Sequence, residues 1–182
     1  MMKNEKLFSA SAVIKKKINQ IDTRREYFAL VRRILITAFI VYFLFSQIFM
    51  IMQLHGNSMF PALKDGDLLI AFRLQREYLK NDIVVYTADG EKKVGRMIAK
   101  GGDVVDITSS GTLIINGTVQ AGEIMYPTYP EEYLQYPYRV PEGYVFILGD
   151  YRTQTKDSRH FGPVPESKVK AKVITLLRRR GL

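Results

Sequence analysis

Residues 34–54 form a run of 21 residues without a single charge. At about 1.5 Å per residue, a helix of this length reaches about 30 Å, which is the thickness of the hydrocarbon core of a bilayer. A long helix in a soluble protein usually keeps one polar face, whereas this run is apolar on all sides. The run therefore predicts a transmembrane helix over residues 34–54.

The apolar region of a cleaved signal peptide is the other interpretation of this run. A signal peptide has a shorter apolar region, which is followed by a cleavage site built from small residues. Here 33 residues precede the run, and no such cleavage site follows it. We therefore expect a permanent anchor.

The charges on the two sides of the run predict its orientation. Residues 1–33 contain nine Lys or Arg against three Asp or Glu, and the first charged residue after the run is Lys64. Basic residues favour the cytoplasmic side of a membrane. We expect a single-pass protein of the plasma membrane, with a basic cytoplasmic tail over 1–33 and residues 55–182 outside. The tail would also contact anionic lipid head groups of the bilayer.

The composition excludes several classes of site and partner. The chain has no cysteine, so it can form neither a disulfide nor a thiolate metal site. Its two histidines, His55 and His160, are far apart, and we expect no metal site and no cofactor. Most of the net charge of +9 lies in the first 33 residues, where aromatic side chains do not alternate with the basic ones. Nucleic acid is therefore not an expected partner.

Residues 55–182 have the pattern of a small β domain. Short runs rich in Val, Ile, Leu and Tyr alternate with turns that contain Gly, Pro and Asp, and no long helical period occurs. The predicted strands cover residues 68–74, 82–88, 92–99, 104–108, 112–115, 118–119, 144–148 and 169–177. The predicted fold class is therefore mostly β, with a single N-terminal transmembrane helix followed by an antiparallel all-β domain.

Two turns and one loop complete this prediction. Asn116 and Gly117 tolerate the positive φ angles that a two-residue type I′ hairpin needs, and residues 88–90 are a second hairpin candidate. Residues 125–144 contain six of the 11 tyrosines and four of the seven prolines. This composition indicates a long ordered loop with extended pieces rather than a helix.

A candidate nucleophile follows the apolar run at once. Ser58 lies four residues beyond the run, between Gly56, which permits close approach of the backbone, and Pro61, which stiffens the following turn. A serine in this place can attack only substrates that lie at the membrane face. A Gly-x-Ser sequence alone, however, is also typical of an ordinary surface turn.

Several short motifs, in order along the chain, resemble those of the type I signal peptidases. They are Gly56-x-Ser58-Met59-x-Pro61-x-Leu63, Gly66-Asp67, Asn81-Asp82-Ile83-Val84, Arg96-Met97-Ile98-Ala99 with Gly102-Asp103-Val104-Val105, Ile114-Ile115-Asn116-Gly117, Val140-Pro141-Glu142-Gly143, and Gly149-Asp150-Tyr151-Arg152 with Asp157-Ser158-Arg159 and Gly162-Pro163-Val164. The last of these is the most specific. The resemblance runs from the predicted anchor almost to the C-terminus.

The resemblance implies a mechanism and a set of site residues. In that family a serine hydroxyl attacks the peptide carbonyl, and a buried lysine with a lowered pKa accepts its proton. Ser58 would be the nucleophile, and Thr155 stands where the family has a serine that orients the lysine. The supporting residues implied by the last motif are Asp150, Arg152, Thr155, Asp157, Ser158 and Arg159.

The chain departs from the family at the general base. When Gly102-Asp103 is aligned with the family's Gly-Asp, Arg96 matches the family's arginine and Gly95 takes the position of the lysine. Glycine cannot accept a proton, and we expect it to leave space in the site. Lys93 is on the same strand face and is the candidate substitute, although it needs a β-bulge to cover about 6.6 Å along the strand.

Three functions are therefore compared. The first is an accessory or chaperone-like factor with impaired peptidase chemistry that binds exported, membrane-tethered precursor proteins. Resemblance to signal-peptidase-like proteins of Gram-positive pilus assembly adds pilin-like subunits as its partners. The second is an active signal peptidase that uses Ser58 with Lys93 or another base. The third is an unrelated membrane-anchored interaction domain, which the Asp157-Ser158-Arg159 motif disfavours.

Overall fold

The protein divides into two units, Met1–Ser46 and Gln47–Leu182. The structure is a computed structural model that describes residues 2–75, 77–120 and 125–178, with side chains described from residue 23 onward. The structure therefore does not describe the side chains of the predicted basic tail that precede residue 23.

The first unit is helical. Helix α1 covers Met2–Ile48, and its segment Thr23–Ile48 is long and apolar enough to cross a membrane. The Oγ1 of Thr37 donates a hydrogen bond to the backbone carbonyl of Arg33 at 2.9 Å, and the Oγ of Ser46 donates one to that of Phe43 at 2.7 Å. The hydroxyls of Thr37 and Ser46 are thus satisfied within the helix itself, as a lipid surrounding requires.

The C-terminal bound of the predicted transmembrane segment needs correction. The helix ends at Ile48, and the next five residues form strand β1, Phe49–Gln53. β1 pairs antiparallel with the strand Leu68–Phe72. A continuous apolar run fits a membrane helix and a half-buried strand equally well, so hydropathy could not locate this boundary.

The second unit consists of strands with two short helical turns. After β1, its elements in chain order are β2 Leu68–Phe72, β3 Ile83–Ala88, β4 Glu91–Lys100, β5 Val104–Ile107, β6 Leu113–Ile115, β7 Thr118–Val119, β8 Tyr138–Arg139, β9 Tyr144–Leu148, α2 Ser158–Phe161, β10 Val164–Pro165, a 3₁₀ turn Glu166–Lys168 and β11 Val169–Leu177. The eight predicted strands are all present, with bounds that differ by at most two residues. Strands β1, β8 and β10 and helix α2 were not predicted.

The strands form two antiparallel sheets. The larger has the order β1-β2-β11-β3-β4-β9-β10, and the smaller has the order β7-β6-β5-β8. Apolar side chains from these strands form buried clusters, among which Leu69, Val84, Val105 and Phe146 are fully enclosed. The predicted mostly β, antiparallel fold class is confirmed.

Both predicted hairpins are present. Asn116 and Gly117 have φ angles of 50° and 78° and join β6 to β7, while Asp89 and Gly90 have φ angles of 53° and 79° and join β3 to β4. Residues 125–144 form an irregular segment that contains the short strand β8, as the composition predicted. The β3–β4 turn brings two long strands together beside the candidate site.

Strand β4 has partners on both sides over only part of its length. Its pairing with β3 is continuous from Arg96, opposite Ile83, to Glu91, opposite Ala88. Its pairing with β9 covers residues 96–100 and contains a register shift between Met97 and Ala99. Among the described residues, the other backbone edge of residues 91–95 therefore pairs with no strand.

Candidate active site

Buried apolar side chains hold the loop that carries Ser58. Met59 and Leu63 on either side of the turn are 0% and 2% exposed, and the Leu63 N–H donates to the Met59 carbonyl at 2.9 Å. The Gly56 N–H donates to Oδ1 of Asp65 at 2.7 Å. Ser58 itself remains half-buried. The loop thus holds its backbone firmly while the serine stays accessible.

A second loop, 149–159, lies directly against Ser58. The N–H of Tyr151 donates to the Ser58 carbonyl at 3.0 Å. A Cβ on Gly149 would lie 2.7 Å from the Ser58 carbonyl oxygen and 2.5 Å from Cγ2 of Thr155. Only glycine permits this approach. The sequence motif that begins at Gly149 therefore places Thr155 next to the nucleophile loop.

The Asp157 carboxylate organises the second loop from inside. Its Oδ2 accepts hydrogen bonds from the Thr155 hydroxyl at 3.0 Å and from the Gly149 N–H at 3.1 Å, and its Oδ1 accepts one from Nε of Arg159 at 2.9 Å. The Ile147 N–H of β9 donates to Oγ of Ser158 at 3.0 Å. These polar side chains are buried and satisfied, so the loop is rigid.

Asp150 and Arg152 form further hydrogen bonds that hold the same loop. Asp150 accepts two hydrogen bonds from the Arg96 guanidinium of β4. Arg152 is 3% exposed and donates from Nε to the Gly149 carbonyl at 2.8 Å and from Nη1 to the Thr128 hydroxyl at 2.5 Å. Burial lowers the pKa of Arg152 to about 10, which leaves it charged at neutral pH. All six supporting residues named from the sequence are thus buried, and the side chain of each has at least one hydrogen-bond partner.

Gly95 does not leave the space that the sequence analysis expected. A Cβ at this position would lie 2.5 Å from Cγ2 of Ile147, 3.2 Å from the Leu148 carbonyl oxygen and 3.2 Å from Cε1 of Tyr86. Real Cβ atoms do not approach other heavy atoms to 2.5 Å. The expectation was wrong because the side chains of β3 and β9 close over the glycine.

Lys93 lines the same cleft as Ser58, but its ammonium group has other partners. Its Nζ lies 3.3 Å from Oδ2 of Asp89 and 5.2 Å from the ring centroid of Phe161. It stands opposite Tyr86 in the β3–β4 pairing, which is free of bulges between residues 91 and 96. The register shift that could have moved Lys93 towards the Gly95 position does not occur there.

The Ser58 cleft, defined by Ser58, Tyr86, Lys93, Gly149, Thr155 and Asp157, has a volume of about 310 Å³. Residues 52–55, at the end of β1 and just after it, and residues 91–94 of β4 also line this cleft. Within the described ranges, no group of three or more His, Asp or Glu is arranged to hold a metal ion.

Sequence reasoning missed two residues of this site, Tyr86 and Asp89. Tyr86 lies in a correctly predicted strand, and Asp89 lies in a correctly predicted turn, so neither carried a separate functional signal. Their roles come from the neighbours across β3 and β4. The Tyr151 ring centroid lies 4.5 Å from that of Tyr126 and 6.1 Å from that of Phe60.

Comparison with known proteins gives consistent results. The family model "Signal peptidase, peptidase S26" matches residues 27–177. Signal peptidase I T of Bacillus subtilis (strain 168) is 31% identical, over 92% of this chain and 91% of that protein. The probable thylakoidal processing peptidase 2 of Arabidopsis thaliana chloroplasts is 36% identical over 60% of this chain, which spans about a third of that longer protein.

Among solved structures, a signal peptidase I from Enterococcus faecalis V583 is 28% identical, with a TM-score of 0.47. The match covers 55% of this chain and 98% of that one.

Proposed function

The chain belongs to the signal peptidase family, peptidase S26, and on that premise we propose that it binds exported, membrane-tethered precursor proteins without efficient cleavage. It would act as an accessory or chaperone-like factor in surface-protein assembly, with pilin-like subunits as its clients. The resemblance stated from the sequence supports this choice of client. The apolar helix Thr23–Ile48 would anchor the chain, with the β domain outside.

The observation that carries the proposal is the environment of Gly95. The family's chemistry needs a neutral lysine amine that takes the serine proton. Gly95 offers no side chain, and Ile147 and Tyr86 fill the volume in which one would begin. Loss of a general base typically costs on the order of 10² to 10⁴ in rate. Ser58 would therefore be a poor nucleophile even in a well-formed site.

Peptide binding needs no general base. It needs a free backbone edge beside a cleft. The free backbone edge of residues 91–95 can accept an extended segment by β-augmentation. This edge borders the Ser58 cleft, which is also lined by Thr155 and Asp157 of the hydrogen-bonded loop 149–159. An extended precursor segment could thus pair with β4 and pass over Ser58.

A second candidate function, an active signal peptidase, rests on Ser58 and Lys93. Both line one cleft, and Ser58 is accessible. Lys93 would have to leave Asp89 and the ring of Phe161 and then lose its proton. This route must therefore first break the ion pair that Lys93 forms with Asp89.

One experiment separates the two candidates. The full chain in detergent micelles is incubated with a precursor peptide that carries Ala one and three residues before its centre, the cleavage pattern of signal peptides. Binding is measured by fluorescence anisotropy, and cleavage is measured by mass spectrometry. We expect binding without appreciable cleavage, and we expect the Ser58→Ala variant to bind as well as the parent.

Brisk cleavage that Ser58→Ala abolishes would instead establish the active peptidase. In that case Lys93→Ala tests the base, with Lys170→Ala as the matched control. Lys170 is an exposed strand lysine outside the Ser58 cleft, and its Nζ donates a hydrogen bond to the Ser167 carbonyl at 3.1 Å. An active enzyme that uses Lys93 would lose cleavage in the first variant and keep it in the second.

A further inference from the structure

Tyr86 is a buried tyrosine at the floor of the Ser58 cleft. It is 2% exposed, and its ring packs with Val84, Met97 and Ile147. Cε1 of the ring lies 3.2 Å from the place where a Cβ on Gly95 would begin. The ring thus occupies the region into which a side chain at position 95 would extend.

The hydroxyl of Tyr86 has an unused hydrogen-bonding capacity. Among the residues that the structure describes, none forms a side-chain hydrogen bond with it, and its oxygen is not one of the fully buried polar atoms that lack a partner, so it can be reached from the cleft. Tyr86 lines the cleft together with Ser58, Thr155 and Asp157, so this hydroxyl is available to a molecule that enters there.

The phenol is also kept in its neutral form. Burial is the main cause that raises the pKa of Tyr86, and the nearby Asp157 and Asp89 carboxylates raise it further. The group therefore keeps its proton over the whole physiological pH range. A neutral phenol can donate one hydrogen bond, which is the polarity that a peptide carbonyl needs.

We propose that Tyr86 is a recognition residue of the Ser58 cleft, whose hydroxyl donates a hydrogen bond to a backbone carbonyl of the bound peptide. This inference rests on the proposed binding function and adds a specific contact to it. A lysine at position 95 would have taken part in both binding and proton transfer, whereas the Tyr86 phenol takes part in binding only. An extended peptide paired with β4 presents its carbonyls at the required edge.

The test compares two tyrosine-to-phenylalanine variants of the full chain in detergent micelles. Tyr86→Phe removes the hydroxyl and keeps the ring. Tyr136→Phe is the matched control, since its hydroxyl is buried with no hydrogen-bond partner among the described residues and lies outside the Ser58 cleft. The probe is the same Ala-containing precursor peptide, and the measurement is its Kd by fluorescence anisotropy, with the Tm recorded for each variant.

We expect Tyr86→Phe to raise the Kd about 3- to 10-fold, the usual effect of one lost hydrogen bond, with an unchanged Tm. Tyr136→Phe should bind like the parent. An unchanged Kd for Tyr86→Phe, or an equal loss in both variants, overturns the role of Tyr86 and leaves the binding function standing. Absence of peptide binding by the parent overturns the binding function, and this inference with it.

Discussion

Arg96 and Asp150 form a two-pronged ion pair, with Nε to Oδ1 at 2.8 Å and Nη2 to Oδ2 at 2.7 Å. The pair links strand β4 to the loop that supports Ser58. Asp150 is 3% exposed, so the carboxylate end of this ion pair is shielded from solvent. The contact fixes the spacing between the two sequence motifs that the family uses for its base and its supporting loop.

Removal of Arg96 should therefore be costly. We expect Arg96→Gln to destabilise the β domain by about 3–5 kcal/mol, because it leaves the Asp150 carboxylate buried without its cation. The measurement is thermal unfolding by circular dichroism. Lys80→Ala breaks an ion pair with Asp103 in which the lysine side chain is 46% exposed, and it should cost less than about 1 kcal/mol. Equal losses in the two variants would contradict this account.

Acid should weaken the attachment of β11 to the Ser58 loop. The hydrogen bond from Arg178 lowers the pKa of Asp67 below its usual value of 3.8. A carboxylate with a depressed pKa adds stability above the unfolded pKa, and that stability is lost as the pH falls through the lower folded pKa. We expect Asp67→Asn to lower the Tm at pH 7, and we expect the difference from the parent to shrink as the pH falls below about 4. A constant difference from pH 7 to pH 2 would exclude this linkage.

Because side chains fill the space around Gly95, we expect even an alanine at this position to lower the stability of the protein. Gly95→Ala places a Cβ against Cγ2 of Ile147, and we expect it to destabilise the protein by about 1–3 kcal/mol. Ile147→Ala alone should cost about 2–5 kcal/mol through its cavity. The double variant should cost less than the sum of the two, since each change relieves the other. Strict additivity in unfolding measurements would show that the two positions do not touch.

Gly95→Lys should be destabilised for the same reason and should gain no Ser58-dependent cleavage of the precursor peptide. Gly95→Lys combined with Ile147→Ala is the comparison, because it opens the space in which the lysine side chain begins. Mass spectrometry of the peptide after incubation is the measurement. Cleavage by Gly95→Lys alone would mean that the surrounding side chains yield without a compensating change.

The orientation of the anchor can be tested in protoplasts. We expect a protease added from outside to degrade the chain after about residue 55 and to spare a tag at residue 2, because basic residues stay on the cytoplasmic side. Protoplasts opened with detergent are the control, in which both parts should be digested. Digestion of the tag in intact protoplasts would reverse the proposed topology.

Local patterns predicted most of the strands. β9 and the Asn116-Gly117 hairpin were found from sequence, since side-chain alternation and turn residues act over only a few positions. β1 was missed because its first four residues, all apolar, continue the uncharged run of α1 without a break. β8 and β10 have two residues each, which is too short for any period to appear.

The site residues could be predicted only where a single continuous motif contains them. Ser58 and the residues of loop 149–159 were named because each group lies in a single motif. The filling of the Gly95 position was not predictable, since it depends on Tyr86 from β3 and Ile147 from β9. The pairing of Lys93 with Asp89 likewise depends on the conformation of the turn between them.

The closure of Ile147 and Tyr86 over Gly95 has a consequence for how such a chain can evolve. A lysine gained first meets a filled volume and lowers stability before any chemistry returns. A smaller residue gained first at either neighbour opens a cavity and also lowers stability. Every route to a lysine by one substitution at a time thus passes through a less stable intermediate. The glycine at position 95 is therefore difficult to replace by lysine through single substitutions without a loss of stability.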